Sequence, residues 1–300
     1  GVAVGTDRSV AVYDRDGTRR WETDIVDATP TDVERYSGVI AVGPNGVYTS
    51  YDSLLRLSLD DGRVVWENDQ LNGYEPIVRA NDKLVTETNG TITSVLPGDG
   101  EKRWEVQCDG PRCTAIATTP DRVYLGTGDG RVQSVGNDGT VLTSSDTEYL
   151  KIAHISIAPR GVIVTAKTTD SENLWEVSKY DRDLQREWRS RTRSNVSDPP
   201  KVHDDVLYVP EYGRVERFDL RDGRGDPIVL DEPEDTTTPT DSEGDVYFGG
   251  GDTLHVVDAS PSRRRIDSPT SIRHAPVVFD DRVIVGGVAK LAAVDAVEET

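Results

Sequence analysis

Residues 11–25 read AVYDRDGTRRWETDI. An alternating apolar strand runs into Asp14-Arg15-Asp16-Gly17, and four residues after the glycine stands Trp21, inside a second alternating stretch. Alternation with a period of two marks a half-buried strand, and Asp-Gly between two such strands marks a tight hairpin. The pattern returns along the chain: LSLDDGRVVW at 57–66, VLPGDGEKRW at 95–104, VGNDGTVL at 135–142 and YDRDLQREW at 180–188. FDLRDGRGDPI at 218–228, VDASPSRRRI at 257–266 and VDAV at 294–297 continue it. Leu142 takes the Trp slot in the fourth unit and Leu184 the glycine slot in the fifth. The turns fall at 17, 62, 100, 139, 184, 223, 261 and about 298, so the spacings are 45, 38, 39, 45, 39, 38 and 37 residues. Self-similarity at a period near 40 residues predicts a repeat architecture of eight units.

Each unit carries a second signature upstream, as in RVYLGTGDGRVQSV (122–135), KLVTETNGTITSV (83–95) and DVYFGGGDTLHVV (245–257). A β-branched or aromatic strand leads to a Gly- or Asn-bearing turn and a further alternating strand. A short strand often opened by Pro precedes these, as in PPKV (199–202) and HAPVV (274–278). No apolar pattern of period 3.6 reaches helical length. Four short strands per unit of about 40 residues, repeated without helices, predict an all-β, eight-bladed β-propeller of four-stranded antiparallel blades over residues 1–300. Seven blades with one irregular unit is the alternative. Trp21, Trp66, Trp104 and Trp188 occupy the fourth strand and are expected to be packing surfaces between blades rather than binding groups. Trp175 belongs to a third strand. Unit 1 begins at its second strand (VAVG, 2–5) and unit 8 ends at its third (KLAAVD, 290–295). We therefore expect the parent chain to begin upstream, with an N-terminal segment supplying both missing strands and a membrane anchor.

The charge balance excludes one class of partner. There are 54 Asp and Glu against 34 Lys and Arg, a formal charge of -20, and only seven of the basic residues are Lys. No basic stripe is present to neutralise phosphates, so nucleic acid is not an expected partner. Such self-repulsion works against a compact state in dilute buffer. An Asp-rich, Lys-poor surface resembles that of proteins from extreme halophiles, where molar salt screens charges beyond ~3 Å. Mean hydropathy is -0.53, and no apolar run approaches the ~18 residues of a membrane helix. The chain contains no Met, so residue 1 is not expected to be a translation start.

The unit pattern, and above all RVYLGTGDGRV (122–132) and LDDGRVVW (59–66), resembles the PQQ-type propeller repeat. That repeat occurs in quinoprotein dehydrogenases and in outer-membrane assembly lipoproteins of the BamB type. The resemblance covers nearly all of the chain and implies a propeller. Its enzymatic branch implies a quinone over the propeller axis beside calcium, a catalytic Asp and a disulfide between adjacent cysteines. Here Cys108 and Cys113 are not adjacent and the loops are short, so no catalytic, cofactor-binding or metal-binding residue is carried over and no cofactor is expected. The scaffold branch implies protein partners held on the propeller faces. The expected function is a non-enzymatic interaction scaffold on the outer face of the cytoplasmic membrane or the cell surface, supporting surface assembly or cell shape. A quinone- or ligand-binding propeller, as enzyme or sensor, is the alternative.

Among single residues, Cys108-Asp-Gly-Pro-Arg-Cys113 is a turn able to bring two thiols together as a local disulfide, with two free thiols as the alternative. A disulfide implies an oxidising compartment. Asn89-Gly-Thr91 and Asn195-Val-Ser197 match the N-glycosylation pattern. His154, His203, His255 and His274 show no metal-ligand spacing, and His255 alternates within a strand as a structural residue would. The acidic stretches at 231–235, 241–245 and 280–281 read as solvated surface, without the spacing of a calcium loop. The basic clusters at 189–193 and 263–265 read as salt-bridging strand faces, or else as contacts with an acidic partner or anionic lipid.

Overall fold

A computed structural model describes the chain apart from residues 6–8, 26–39, 51–52, 72–76, 81, 170–173, 197, 231–233, 243, 258–262, 280–281, 288–290 and 296–300. The turns expected at 261 and 298, the acidic pair 280–281, residues 231–233, Glu243 and Ser197 lie outside the described residues.

The fold is all-β: an eight-bladed β-propeller of antiparallel blades, with no helix among the described residues. Blade 1 holds β1 (Val2–Gly5), β2 (Ser9–Tyr13) and β3 (Arg19–Asp24). Blade 2 holds β4 (Ile40–Gly43), β5 (Gly46–Ser50), β6 (Leu54–Leu57) and β7 (Val64–Asn68). Blade 3 holds β8 (Val78–Ala80), β9 (Lys83–Thr88), β10 (Thr91–Val95) and β11 (Lys102–Gln107). Blade 4 holds β12 (Cys113–Thr118), β13 (Arg122–Thr127), β14 (Arg131–Gly136) and β15 (Val141–Asp146). Blade 5 holds β16 (Tyr149–Ala158), β17 (Gly161–Thr168), β18 (Trp175–Asp181) and β19 (Arg186–Arg191). Blade 6 holds β20 (Lys201–His203), β21 (Val206–Glu211), β22 (Arg214–Asp219) and β23 (Gly225–Val229). Blade 7 holds β24 (Thr240–Ser242), β25 (Asp245–Gly250), β26 (Thr253–Val257) and β27 (Arg263–Asp267). Blade 8 holds β28 (Val277–Phe279), β29 (Arg282–Gly286) and β30 (Leu291–Asp295). Within every blade the strands pair in chain order, and among the described residues blades 1 and 8 have three strands.

The chain divides into two compact units, residues 1–127 with 133–144 and residues 128–132 with 145–300. In each, the apolar core lies between blades. A lone four-stranded sheet cannot bury both of its faces, so neighbouring sheets bury them for one another. In the first unit Val10, Val12 and Trp21 of blade 1 pack against Val47 and Leu57 of blade 2. Tyr48 and Leu54 of blade 2 pack against Leu84 and Val95 of blade 3. In the second unit Ile163 and Val177 of blade 5 meet Leu207, Val209 and Phe218 of blade 6, and Tyr247, Leu254 and Val256 of blade 7 meet Val283 and Val285 of blade 8.

The Asp/Gly turn works as a latch for the preceding blade. Gly17, Gly62, Gly100, Gly139 and Gly223 all have φ between 70° and 84°, and Leu184 takes 60° in the same slot. At Gly62 a Cβ would stand 2.5 Å from the Trp21 ring, and at Gly100 2.7 Å from the Trp66 ring. The slot needs glycine twice over, for left-handed backbone and for the indole lying on it. Where the preceding unit has Leu142 instead of Trp, the slot holds Leu184, only 2% exposed. The Asp before the glycine accepts the N–H two residues on: Asp16 from Thr18 at 3.0 Å, Asp99 from Glu101 at 3.0 Å, Asp138 from Thr140 at 2.9 Å and Asp222 from Arg224 at 3.0 Å. Part of the chain's acidity therefore builds turns.

Each indole is aimed by a register shift. Trp21 stands opposite Val12, Trp66 opposite Arg56, Trp104 opposite Ser94 and Trp188 opposite Lys179, and in all four pairs the ladder slips by one residue immediately beside the Trp. Such a bulge re-aims a side chain and sharpens the local twist. The Trp-less pairs β22–β23 and β26–β27 keep their register throughout.

Candidate functional site

Three of the four indoles end in a hydrogen bond to the next blade's turn. Trp21 Nε1 donates to the Leu59 carbonyl at 2.9 Å, Trp66 to Pro97 at 3.2 Å and Trp188 to Leu220 at 2.9 Å. In each case the acceptor lies three residues before the slot glycine. The residue two beyond the Trp adds a second bond to the glycine carbonyl: Thr23 to Gly62 at 2.7 Å, Asn68 to Gly100 at 2.9 Å, and Ser190 to Gly223. Trp104 departs from this, since its Nε1 is buried with no partner among the described residues. The cause is turn length. Gly62, Gly100 and Gly223 donate to Ser58, Leu96 and Asp219, four residues back, which leaves the carbonyl three back for the indole. The turn after β14 is one residue shorter, so Gly139 N–H bonds the Gly136 carbonyl itself. Val106 fills the place of Thr23 in this blade and has no hydroxyl to donate.

Cys108 and Cys113 are joined as a disulfide with Cα atoms 6.0 Å apart, between β11 and β12. The Cys108 N–H donates to the Gly90 carbonyl at 2.9 Å, so this loop packs beside the β9–β10 hairpin tip. Asn89 sits at that tip with φ 50°, followed by Gly90 at 82°, the conformation an Asn-Gly hairpin turn requires. Asn195 is exposed too, but its carboxamide oxygen accepts the Trp175 indole N–H.

The histidines do not come together as one site. His154 on β16 is pushed down to about 4, chiefly by burial and further by the Lys151 charge, against a hydrogen bond with Val196 that favours the cation. It is therefore neutral near pH 7. His255 stacks on Phe248 with ring centroids 5.1 Å apart. Burial raises the carboxyl of Asp198, against the Thr238 N–H bond and the neighbouring His274 ring, which act to lower it. His203 belongs to a cluster the sequence reading did not find. Asp241 on β24 takes Lys201 Nζ at 2.6 Å and His203 Nδ1 at 3.1 Å from β20, one blade away. These partners hold the Asp241 carboxyl below its ordinary value despite its burial. Asp241 thereby ties the first strands of blades 6 and 7.

Glu211 was also missed. It is buried at the end of β21, and its Oε2 accepts Arg193 N at 3.1 Å, Ser194 N at 2.9 Å and Ser194 Oγ at 3.0 Å. Burial raises its pKa while the Ser194 bonds lower it. The sequence signal was legible: the matching places in blades 3, 4 and 7 hold Thr88, Thr127 and Gly250, and only blade 6 of these has a carboxylate there. The basic cluster at 189–193 and its neighbours are largely paired. Arg186 and Arg189 reach Glu148 at 3.8 and 2.9 Å, and Arg191 reaches Glu176 at 3.2 Å. Arg264 pairs with Asp245. Among the described residues no group of three or more His, Cys, Asp or Glu is placed to hold a metal ion.

A sequence model of the family described as outer membrane protein assembly factor BamB matches residues 6–225 and 52–298. The chain belongs to that family of PQQ-like propellers. No curated protein matches it. Among solved structures, BamB from Moraxella catarrhalis is similar over 99% of this chain and 91% of its own, at 15% identity and a TM-score of 0.71. The computationally designed Ika8 protein is similar over 86% of this chain and 95% of its own, at 14% identity and a TM-score of 0.60. At these identities the two neighbours share the fold alone with this BamB-family chain.

Proposed function

We propose that this BamB-family propeller is a non-enzymatic protein-interaction scaffold of the cell envelope, held on the outer face of the membrane by an anchor outside these residues. Family membership across both matched segments carries the reading. The structure supports it in one respect. The repeated Trp, Gly and Asp residues are engaged between blades, and the charged residues that are buried, such as Glu211 and Lys83, close blade contacts. What varies from blade to blade is the exposed residues between these repeated ones, in the hairpins and the fourth strands, the surface a protein partner would meet. The Cys108–Cys113 bridge supports an oxidising, extracytoplasmic location. The acidic surface suits concentrated salt, where a charge of -20 is screened.

The test is crosslinking in intact cells at native abundance, followed by identification of the adducts by mass spectrometry. The same envelope protein recovered with the propeller in independent preparations is the expected result. Recovery of the propeller alone would overturn the scaffold reading. Quenching of the tryptophans by pyrroloquinoline quinone with calcium, saturating at micromolar levels, would replace it with the quinone-binding alternative.

A further inference from the structure

We propose that Asn89 carries an N-linked oligosaccharide whose first sugar lies in the polar depression beside it. Three observations converge on this residue. Asn89-Gly90-Thr91 is an acceptor sequence at the exposed tip of the β9–β10 hairpin, and the Asn89 carboxamide makes no hydrogen bond to the described residues. Asn195, in the second acceptor sequence, has its carboxamide oxygen bound by the Trp175 indole, so the structure distinguishes the two. Asn89 also forms the rim of a depression of about 290 Å³ between blades 2 and 3. Its other walls include Asn68, Gln70, Thr88, Thr91, Lys102 and Glu105, and the Lys102–Glu105 ion pair of 2.8 Å lies along it. Its amides, hydroxyls and ion pair offer donors and acceptors to sugar hydroxyls, and Leu71 with the aliphatic stems of the longer side chains offers apolar surface to the C–H faces of a sugar ring. The disulfide loop is hydrogen-bonded to the same hairpin through Gly90, which places the acceptor and the mark of an oxidising compartment on one edge of blade 3.

The chemistry balances with a polyisoprenyl-phosphate-linked oligosaccharide as donor. Asn89 Nδ2 forms a bond to the anomeric carbon while the anomeric C–O bond to phosphate breaks. The phosphate leaves with the electron pair, and one Nδ2 proton passes to the base of the transferring enzyme. The Thr91 hydroxyl is the group the transferring enzyme recognises, and a modified Asn89 would cover the hairpin tip with a bulky, hydrated group.

The inference rests on the extracytoplasmic reading above, so the test reads both. The full chain is purified from the envelope of its source cells under thiol-alkylating conditions and cleaved after lysine. Fragment 84–102 is expected to carry a mass increase made of whole sugar residues, with Cys108 and Cys113 protected from alkylation. Asn89→Gln and Thr91→Val abolish the increase, Thr91→Ser retains it, and Asn195→Gln leaves it unchanged. An unmodified fragment with the bridge intact overturns the glycan and leaves the location standing. An unmodified fragment with alkylated thiols overturns both. A mass increase that survives Asn89→Gln assigns the sugar elsewhere and refutes the site.

Discussion

Replacing Trp21 and Trp104 by Phe, one at a time, separates the hydrogen-bond part of the latch from its packing part. The two indoles are nearly equal in burial, at 8% and 9% exposed, and both lie on a slot glycine of the next blade. The loss of ring area and the small cavity left behind, about 1–2 kcal/mol each, therefore nearly cancel in the comparison. What differs is Nε1. Trp21→Phe removes a 2.9 Å bond to Leu59 and leaves that carbonyl unpaired, at a cost of about 1 kcal/mol. Trp104→Phe removes a buried donor that has no partner, which returns about 1–3 kcal/mol. Trp21→Phe should thus be the more destabilising by roughly 2–4 kcal/mol, and Trp104→Phe close to neutral. Urea unfolding at fixed high salt measures this, because an uncharged denaturant leaves the screening of a protein of charge -20 unchanged. Far-ultraviolet circular dichroism is the appropriate signal, since both substitutions alter tryptophan fluorescence. Equal destabilisation by the two variants, or a larger loss from Trp104→Phe, would refute the turn-length argument.

Three further outcomes follow from the same geometry. Gly62→Ala, which pushes a Cβ to 2.5 Å from Trp21 at φ 74°, should cost at least 2 kcal/mol more than Gly17→Ala, where only the ~1 kcal/mol backbone term applies; similar urea midpoints for the two would contradict it. Reduction of the Cys108–Cys113 bridge, which closes a loop of six residues, should lower stability by about 2 kcal/mol, and an unchanged midpoint in dithiothreitol would show that the bridge constrains nothing. His154 titrates near 4 in the fold and near 6.5 unfolded, so the unfolded chain binds the extra proton as pH falls through that window and stability drops by about 3 kcal/mol. Buried Glu211 and Asp198, with raised values, act in the opposite sense just above the usual carboxylate range. The difference between wild type and His154→Gln isolates the histidine, and parallel pH profiles would sink the assignment.

The blades were legible because the turn, the Trp and the two-residue alternation recur together, and a period near 40 residues admits few architectures. The strand boundaries followed from AVYDRDGTRRWETDI once it was aligned with its copies. The bulges beside each Trp were not legible, because the extra residue (Arg20, Val65, Arg103 or Glu187) looks like any other strand residue until the ladder is seen. The partnerless Trp104 was hidden for a related reason: it depends on a single-residue difference in the next unit's turn. The Lys201–His203–Asp241 cluster was readable in principle. In a propeller, residues about one period apart lie in neighbouring blades, and His203 and Asp241 are 38 positions apart. Metal-ligand spacings, which join residues close in sequence, pass over such a pair. The partner was not legible because the repeated residues build blades, and contact specificity resides in residues that obey no repeat.

Photo-crosslinking from position 212 tests the scaffold account most directly. Tyr212 is a 54% exposed aromatic at the tip of the β21–β22 hairpin, and a photoreactive phenylalanine there changes no blade contact described above. The account predicts one discrete adduct of reproducible mass in intact cells, dependent on light and absent when the same residue replaces the exposed Arg221 at the β22–β23 turn, at the other end of the same blade. A propeller that stays free of adducts at position 212 and at every other exposed hairpin tip would contradict it.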